Sequence, residues 1–564
     1  MSSNNSSVVP WVSDQGDGTY RNPIIHADYS DPDAIRVGED FYLIASSFNC
    51  TPGLPILHSR DLINWTIVNH AIKNVPHPRY DDVQPGQGVW APAIRHHAGK
   101  FWIVFPMPDE GIYVTTATDP RAEWSEPHLL LEGKGLIDPC PFWDDDGQAY
   151  IAYAYAGSRA GIRNKLHVRP IAPDLTQVIG EGEIVASIDE SLPALEGPKW
   201  HKRNGWYYLS APSGGVQMGW QVIFRSRNIY GPYEERIVLA QRGTPINGPH
   251  QGALVDTPDG EWWFIHFQDL DLYGRIVHLQ PVRWVDDWPL IGVEQDQNGV
   301  GMPVLAHRKP GVRKTSPLAF PQTSDNFQSG QLGLQWQWHS NHRDCWHSLT
   351  ESPGKLRLLP QFVRERDFSK AGNLLLQKFP AREFAVITEL ELPIGHDDLH
   401  AGLIVMGLEY CALDVQRTRE GYKVCLLSNS EPRGELAGIR DASVRLCTVV
   451  SDGGVCRFGI VGDDDRFYQI GPAFFAKVGR WIGAKFGLFC LSPNALDLSG
   501  AADFSYCNVR SAAAFAASFE MTDSIVSNVV PMAVDGRDDS WTPPRGQDGV
   551  IAKHQSVPAT SSHL

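Results

Sequence analysis

Residues 35–43, Ile35-Arg36-Val37-Gly38-Glu39-Asp40-Phe41-Tyr42-Leu43, read as an apolar run, a polar turn around Gly38 and an aromatic strand. Glycine supplies the positive φ of a tight turn, so the stretch predicts a β-hairpin. The pattern returns at residues 94–103 around Gly99, 142–151 around Gly147, 199–208 around Gly205 and 254–265 around Gly260. Strand-like segments follow, as at residues 56–65 and 222–233, and supply a third and a fourth strand to each unit. Five such units in series predict an all-β fold whose first part is a five-bladed β-propeller.

The chain around this repeat has 564 residues, 42% hydrophobic and 20% charged, too many for one compact core. After Trp288-Pro289 the repeat fades and a stretch rich in Pro, Lys and Arg follows, including Arg308-Lys309-Pro310-Gly311-Val312-Arg313-Lys314. Beyond it, strand-like runs at residues 355–359, 384–392, 402–406 and 482–490 predict a β-sandwich. The expected organisation is a propeller over 1–304, a linker over 305–322, a sandwich over 323–519 and a tail over 520–564. That tail, with Asp538-Asp539-Ser540-Trp541, shows no periodicity.

A formal charge of -16 argues against nucleic acid and against anionic membrane surfaces. No apolar run of about 18 residues predicts a spanning helix. The polar start, Met1 to Tyr20, carries no secretory signal, which predicts a cytoplasmic protein, or a secreted one if the chain is a processed mature form. Nine cysteines without a CxxC pair predict buried free thiols and no zinc site.

The residues that open the five units are Asp31, Ala91 (after Trp90), Asp138, Glu196 and His250. In a propeller the first strand of every blade lines the central channel, so these positions converge. Three of the five are carboxylic acids. Any one alone reads as a strand-end residue, but three at one phase bring mutual repulsion and desolvation, a cost characteristic of chemistry. No GxSxG elbow, HExxH helix or phosphate loop accompanies them. Carboxylates without those partners suit glycoside hydrolysis, in which one protonated acid serves the leaving oxygen and an ionised one activates water or attacks directly. Trp90 is the aromatic residue best placed to face a sugar ring.

These segments resemble glycoside hydrolase family 43, of the β-xylosidase and α-L-arabinofuranosidase type. The likeness runs through Asn22-Pro23-Ile24, Ser30-Asp31-Pro32-Asp33, Val89-Trp90-Ala91-Pro92, Ile137-Asp138-Pro139, Glu196-Gly197-Pro198, Gly248-Pro249-His250-Gln251-Gly252 and Gly274-Arg275. The resemblance implies Asp31 as general base, Glu196 as general acid and Asp138 as the residue that raises and orients that acid. Arg275 would bind a sugar hydroxyl and favour the charged form of the neighbouring carboxylate. Phe48 and Trp90 would wall the sugar subsite. His250 matches an axial histidine that in many members lies beside a calcium ion or a water cluster, so a structural calcium in the channel is implied while no cofactor is required.

Leu332-Gly333-Leu334-Gln335-Trp336 and Gly500-Ala501-Ala502-Asp503-Phe504 resemble parts of the lectin-like sandwich of these enzymes, a loop of which helps close the pocket. The implied activity is exo-acting, inverting release of xylose from β-1,4-xylo-oligosaccharides, with α-L-arabinofuranosidase activity beside it. A dedicated α-L-arabinofuranosidase, a retaining glycosidase and a non-catalytic sugar-binding propeller stay open, as does oligomerisation. Two departures, Ile137 before the middle acid and Ser213-Gly214-Gly215-Val216, are expected near the pocket and weaken transfer of specificity.

Overall fold

A computed structural model describes residues 8–187, 191–294, 299–311 and 316–526. The first half forms five blades, each of four antiparallel strands from one contiguous segment, and the blade 4 sheet is extended to six strands by Gly301–Met302, which joins its outer strand in parallel, and Val293–Glu294. Blade 1 contains the strands Asp33–Val37, Asp40–Ile44, Gly53–Ser59 and Thr66–Ile72. Blades 2 to 5 begin with Ala93–His97, Leu136–Trp143, Lys199–Arg203 and His250–Asp256. Alternation along the strands explains the ring. Phe41 and Leu43 pack with Val255, Trp263 and Ile265 of blade 5, while Tyr42 and Ile44 pack with Ile94, Phe101 and Ile103 of blade 2. Successive side chains leave opposite faces of a strand, and both faces meet a neighbouring blade. Blades 2 and 3, 3 and 4, and 4 and 5 share apolar clusters built the same way.

Among the described residues no strand from one end of the ring completes the blade at the other, so blades 1 and 5 are joined by other means. Asn22, 9% exposed, donates from Nδ2 to the carbonyls of Leu279 and Val304 at 2.8 Å each, and its Oδ1 accepts from the Leu279 amide at 2.9 Å. Tyr20 donates its hydroxyl to the same Leu279 carbonyl at 2.8 Å. The strand Thr19–Arg21 pairs with Ala306–Arg308, at the start of the stretch expected to be a linker. Extended, proline-flanked backbone must bond somewhere, and the N-terminal strand offers its free edge. Farther along that stretch, the Ala319 amide donates to Asn64 Oδ1 of blade 1 at 3.0 Å.

The second half is a sandwich. One sheet has the order Gln337–Trp338, Leu375–Lys378, Lys485–Ser492, His400–Met406, Tyr410–Thr418, Gly421–Ser428 and Glu431–Ile439. The other is centred on Ala502–Ser511, Phe384–Glu391, Val444–Ser451 and Val455–Val461. Their apolar faces share one core. A short helix, Ala512–Ser518, follows the last long strand, and one feature crosses the expected boundary at 520: Glu520–Val526 pairs in parallel with Arg466–Ile470. That strand gains its order from an edge supplied far upstream, a signal that local periodicity does not carry. The remainder of the expected tail, with Asp538 to Trp541, lies outside the described residues.

The cysteines are free thiols, and all but Cys345 are buried. Among the described residues no helix is long and apolar enough to cross a membrane. Sandwich and propeller meet along hydrogen bonds from Thr51 to Trp338 in both directions, from Asn49 Nδ2 to the His339 carbonyl, and from Gln337 Nε2 to the Pro52 carbonyl.

Asn22→Ala removes a side chain that, alone among the described residues, bonds both Leu279 and Val304, and leaves the buried Leu279 amide without an acceptor. Unfolding followed in urea should show a loss of about 3 kcal/mol; a change within about 0.5 kcal/mol would mean that ring closure does not depend on Asn22.

Candidate active site

The blade-opening residues are placed by backbone that departs from ordinary strand geometry. Asp31 has φ 54°, Asp138 has φ 56°, Gly197 has φ 62° and Gln251, after His250, has φ 49°. Such values are uncommon outside glycine and mark positions where surrounding structure imposes the conformation. In blades 3 and 5 the ladder register slips there, between Ile137 and Cys140 and between His250 and Gly252. A bulge of this kind re-aims a side chain.

Asp31, 4% exposed, accepts two short bonds: from Arg275 Nη1 at 2.6 Å on Oδ1 and from the Ser46 hydroxyl at 2.6 Å on Oδ2. An oxygen pair that only accepts is the arrangement an ionised carboxylate satisfies. Asp138 accepts from the Gly197 amide at 2.8 Å. Burial first, and then the charge of Asp31, push its carboxyl up, while the Gly197 amide, Lys199 and Arg275 pull the other way. Glu196 is pushed up by burial first and by Asp138 second, and Arg275 alone opposes this. Among the described residues no side-chain donor bonds Glu196 to hold it ionised, an environment that favours its protonated form. Asp31, Asp138, Glu196 and Arg275 thus form one interacting cluster.

Several groups in the cluster escape a reading of the sequence. Lys199, fully buried, donates to the Pro92 carbonyl at 2.8 Å and faces Asp138 electrostatically. Asp28 accepts from the Arg275 amide at 3.0 Å on Oδ1 and from the Gly483 amide at 2.9 Å on Oδ2. It therefore fastens the backbone of Arg275 to a loop of the sandwich. That loop carries Trp481, 43% exposed and at φ 64°. The Trp481 ring lies edge-on to Trp90 at 6.2 Å, and Trp90 lies 6.4 Å from Phe48. Arg275 lines a cavity of about 220 Å³ whose other walls include Asp269, Leu408, Arg480 and Trp481. Only the exposed Trp between glycines, Gly479-Arg480-Trp481-Ile482-Gly483, signals this in the sequence.

Phe48 is buried, and its backbone pairs with Val89, which brings it beside Trp90. Trp90 is half-buried and carries the Arg159 guanidinium 4.8 Å over its ring. His250 is fully buried, with Nδ1 2.7 Å from the Gly248 carbonyl and Nε2 without a partner. Burial pushes its imidazole down to about 3, so it is neutral. Calcium takes about six to eight oxygen ligands. His250 offers one nitrogen, and among the described residues no group of three or more His, Cys, Asp or Glu side chains is arranged to hold a metal. The residues do not fit a calcium cage made of protein side chains. Ile137 is buried among the apolar side chains, with Cys140, Ala152 and Trp200, between blades 3 and 4, against which Trp90 packs. Ser213 does lie near the cluster, donating to the Pro193 carbonyl beside the Glu196 segment.

Replacing Asp28 by Ala would strand the Gly483 and Arg275 amides and free the loop carrying Trp481. Thermal unfolding should lose on the order of 3 kcal/mol, and kcat/KM should fall through a raised KM; wild-type KM in the folded variant would show that the loop holds its place without Asp28.

Comparison with known proteins agrees with this architecture. Residues 20–289 match the model for Glycosyl hydrolases family 43, and residues 324–510 match that for a Beta xylosidase C-terminal Concanavalin A-like domain. A putative beta-xylosidase of Xylanibacter ruminicola is 43% identical over 71% of this chain and 73% of its own length. A beta-xylosidase of Formosa agariphila is 33% identical over 84% of this chain and 88% of its own. Among solved structures, the GH43 BlXynB protein of Bacillus licheniformis superposes with a TM-score of 0.75 at 25% identity, over 87% of this chain and all of that one (100%). With acids from three blades around one arginine, and relatives matched along both domains, the chain belongs to glycosyl hydrolase family 43.

Proposed function

We propose that this protein is an exo-acting β-xylosidase that releases terminal xylose from β-1,4-xylo-oligosaccharides with inversion, and that it also accepts α-L-arabinofuranosides. The observation that carries this reading is the opposite treatment of two carboxyls. Asp31 is gripped by a guanidinium and a hydroxyl, whereas Glu196 has no donor and is raised by burial and by Asp138. Asp31 is the general base, taking a proton from the water that attacks the anomeric carbon. Glu196 is the general acid, donating to the glycosidic oxygen as the bond breaks. Asp138 keeps Glu196 protonated. Arg275 holds Asp31 in place and reaches towards a sugar hydroxyl. Phe48, Trp90 and Trp481 offer aromatic surface to the apolar faces of the ring, and the sandwich loop limits the pocket to a chain end. The names of the two bacterial relatives support xylose as the sugar. β-D-Xylopyranose and α-L-arabinofuranose present similar hydroxyls around the anomeric carbon, which supports the second activity.

An inverting pair stands roughly 6.5–9.5 Å apart so that water fits between base and sugar. Aryl β-D-xyloside should be hydrolysed with α-xylose as the first product seen by proton NMR, and Glu196→Gln should lower kcat on xylobiose roughly 10³-fold. β-Xylose as first product would replace inversion by retention. Inactivity on both aryl xyloside and aryl arabinofuranoside would remove the substrate assignment.

Glu196 works protonated, so activity falls as pH rises through its titration. Asp138→Asn deletes a negative neighbour that raises Glu196, and the alkaline limb of the kcat/KM profile should move to lower pH. An unmoved limb would deny Asp138 this role.

A further inference from the structure

A second cavity, of about 60 Å³, lies in the seam between propeller and sandwich and shares no lining residue with the pocket around Arg275. Lys378 reaches it from the sandwich strand Leu375–Lys378. Lys485 stands directly opposite Lys378 on the neighbouring strand, so both side chains leave the same face of the sheet. Among the described residues neither ammonium is ion-paired with a carboxylate. Lys378 donates to Gln337 Oε1 at 3.2 Å and lies 5.3 Å over the Tyr29 ring. Lys485, 4% exposed, donates to Cys50 Sγ at 2.9 Å. Asp28 acts on Lys378 only across space, because its own oxygens are engaged by Ser30, Arg275 and Gly483. Burial first, and then Lys485, push Lys378 down to about 8, which leaves it charged at neutral pH. Lys378 is half-buried and Lys485 almost wholly so, and paired positive charge drawn away from water is costly unless a negative partner is present.

The other unsatisfied groups around the cavity are chiefly nitrogens. Both ring nitrogens of His26, Nδ1 of His70 and Nε2 of Gln377 have no partner, against one oxygen, Oε1 of Gln335. Burial keeps both imidazoles neutral, so each offers one donor and one acceptor. Buried polar atoms are nearly always paired, and beside an ammonium with no carboxylate partner the group missing from this mixed set is one that compensates its charge. The space suits an ion of a few atoms, since one water needs on the order of 10–15 Å³ of it. We propose that the interdomain cavity binds a small monoanion, chloride or a short carboxylate, with Lys378 as its counter-charge. The propeller supplies His26 and Tyr29, the sandwich supplies Gln377 and Lys378, and the linker residues Ala319 to Thr323 lie over it. The anion is therefore a tie between the two domains.

The test uses the full chain. Thermal unfolding is followed in sodium chloride and in sodium acetate, with ionic strength held constant by sodium gluconate, whose anion is too bulky for the cavity. Tm should rise and saturate with chloride or acetate in the wild type and stay flat in Lys378→Met. Response to chloride alone identifies a halide site, response to acetate alone a carboxylate site, and either supports the proposal. Crystals soaked in bromide should show an anomalous peak against Lys378 Nζ. Equal salt responses in wild type and variant would overturn the proposal, as would ordered water in place of bromide. A bromide peak without a saturable Tm response would mean an adventitious ion only. Should Lys378→Met fail to fold, Lys378→Gln serves, and the wild-type arms decide the question without either.

Discussion

The ion pair between Arg275 and Asp31 is the constraint around which the molecule is organised. It joins the last blade to the first, and both partners are almost wholly out of solvent, at 8% and 4% exposure. Burying two charges is expensive, and the cost is offset only when every remaining donor and acceptor is engaged. Here Ser46 takes the second oxygen of Asp31, and Asp28, three residues earlier in the chain, takes the amide of Arg275. One short segment of blade 1 thus holds Arg275 by its side chain and by its backbone. The arrangement fixes a negative charge on the axis, which adds to burial in raising Asp138 and, after burial and Asp138 itself, contributes a smaller part for Glu196.

Much of this is legible in the sequence because the propeller is written in local terms. Glycine at each hairpin turn and alternation such as Phe41 and Leu43 against Tyr42 and Ile44 are short-range signals, and the phase of the repeat selects Asp31, Asp138 and Glu196 from 65 acidic residues. What escapes a reading of the sequence depends on distance. Asp28 meets Gly483 across 455 residues, and nothing near either of them announces it. Trp481 belongs to the sandwich by sequence and to the pocket by position. Lys199 looks like a surface residue in the run Lys199-Trp200-His201-Lys202-Arg203, yet it is fully buried because the strand start faces the axis.

The sandwich is more than an appended module. Its Trp338 pairs with Thr51, three residues from Phe48, and its Gly483 shares a carboxylate with Arg275. Motion of the sandwich would therefore reach both the aromatic wall and the arginine. Substitutions at the seam are felt at the sugar through rigid, hydrogen-bonded backbone.

The contiguity of every blade bears on how the chain comes together. Because the four antiparallel strands of each blade come from neighbouring segments, blades can form one after another as the polypeptide emerges during synthesis, with only the two added strands of the blade 4 sheet arriving later. The ring is different. Asp31 waits for a partner 244 residues downstream, and the edge of Thr19–Arg21 waits for Ala306–Arg308. Until then blade 1 exposes the apolar face that Val255, Trp263 and Ile265 will cover. The slow, aggregation-exposed step is thus the last one, and the catalytic centre cannot exist in any nascent fragment that stops short of the final blade.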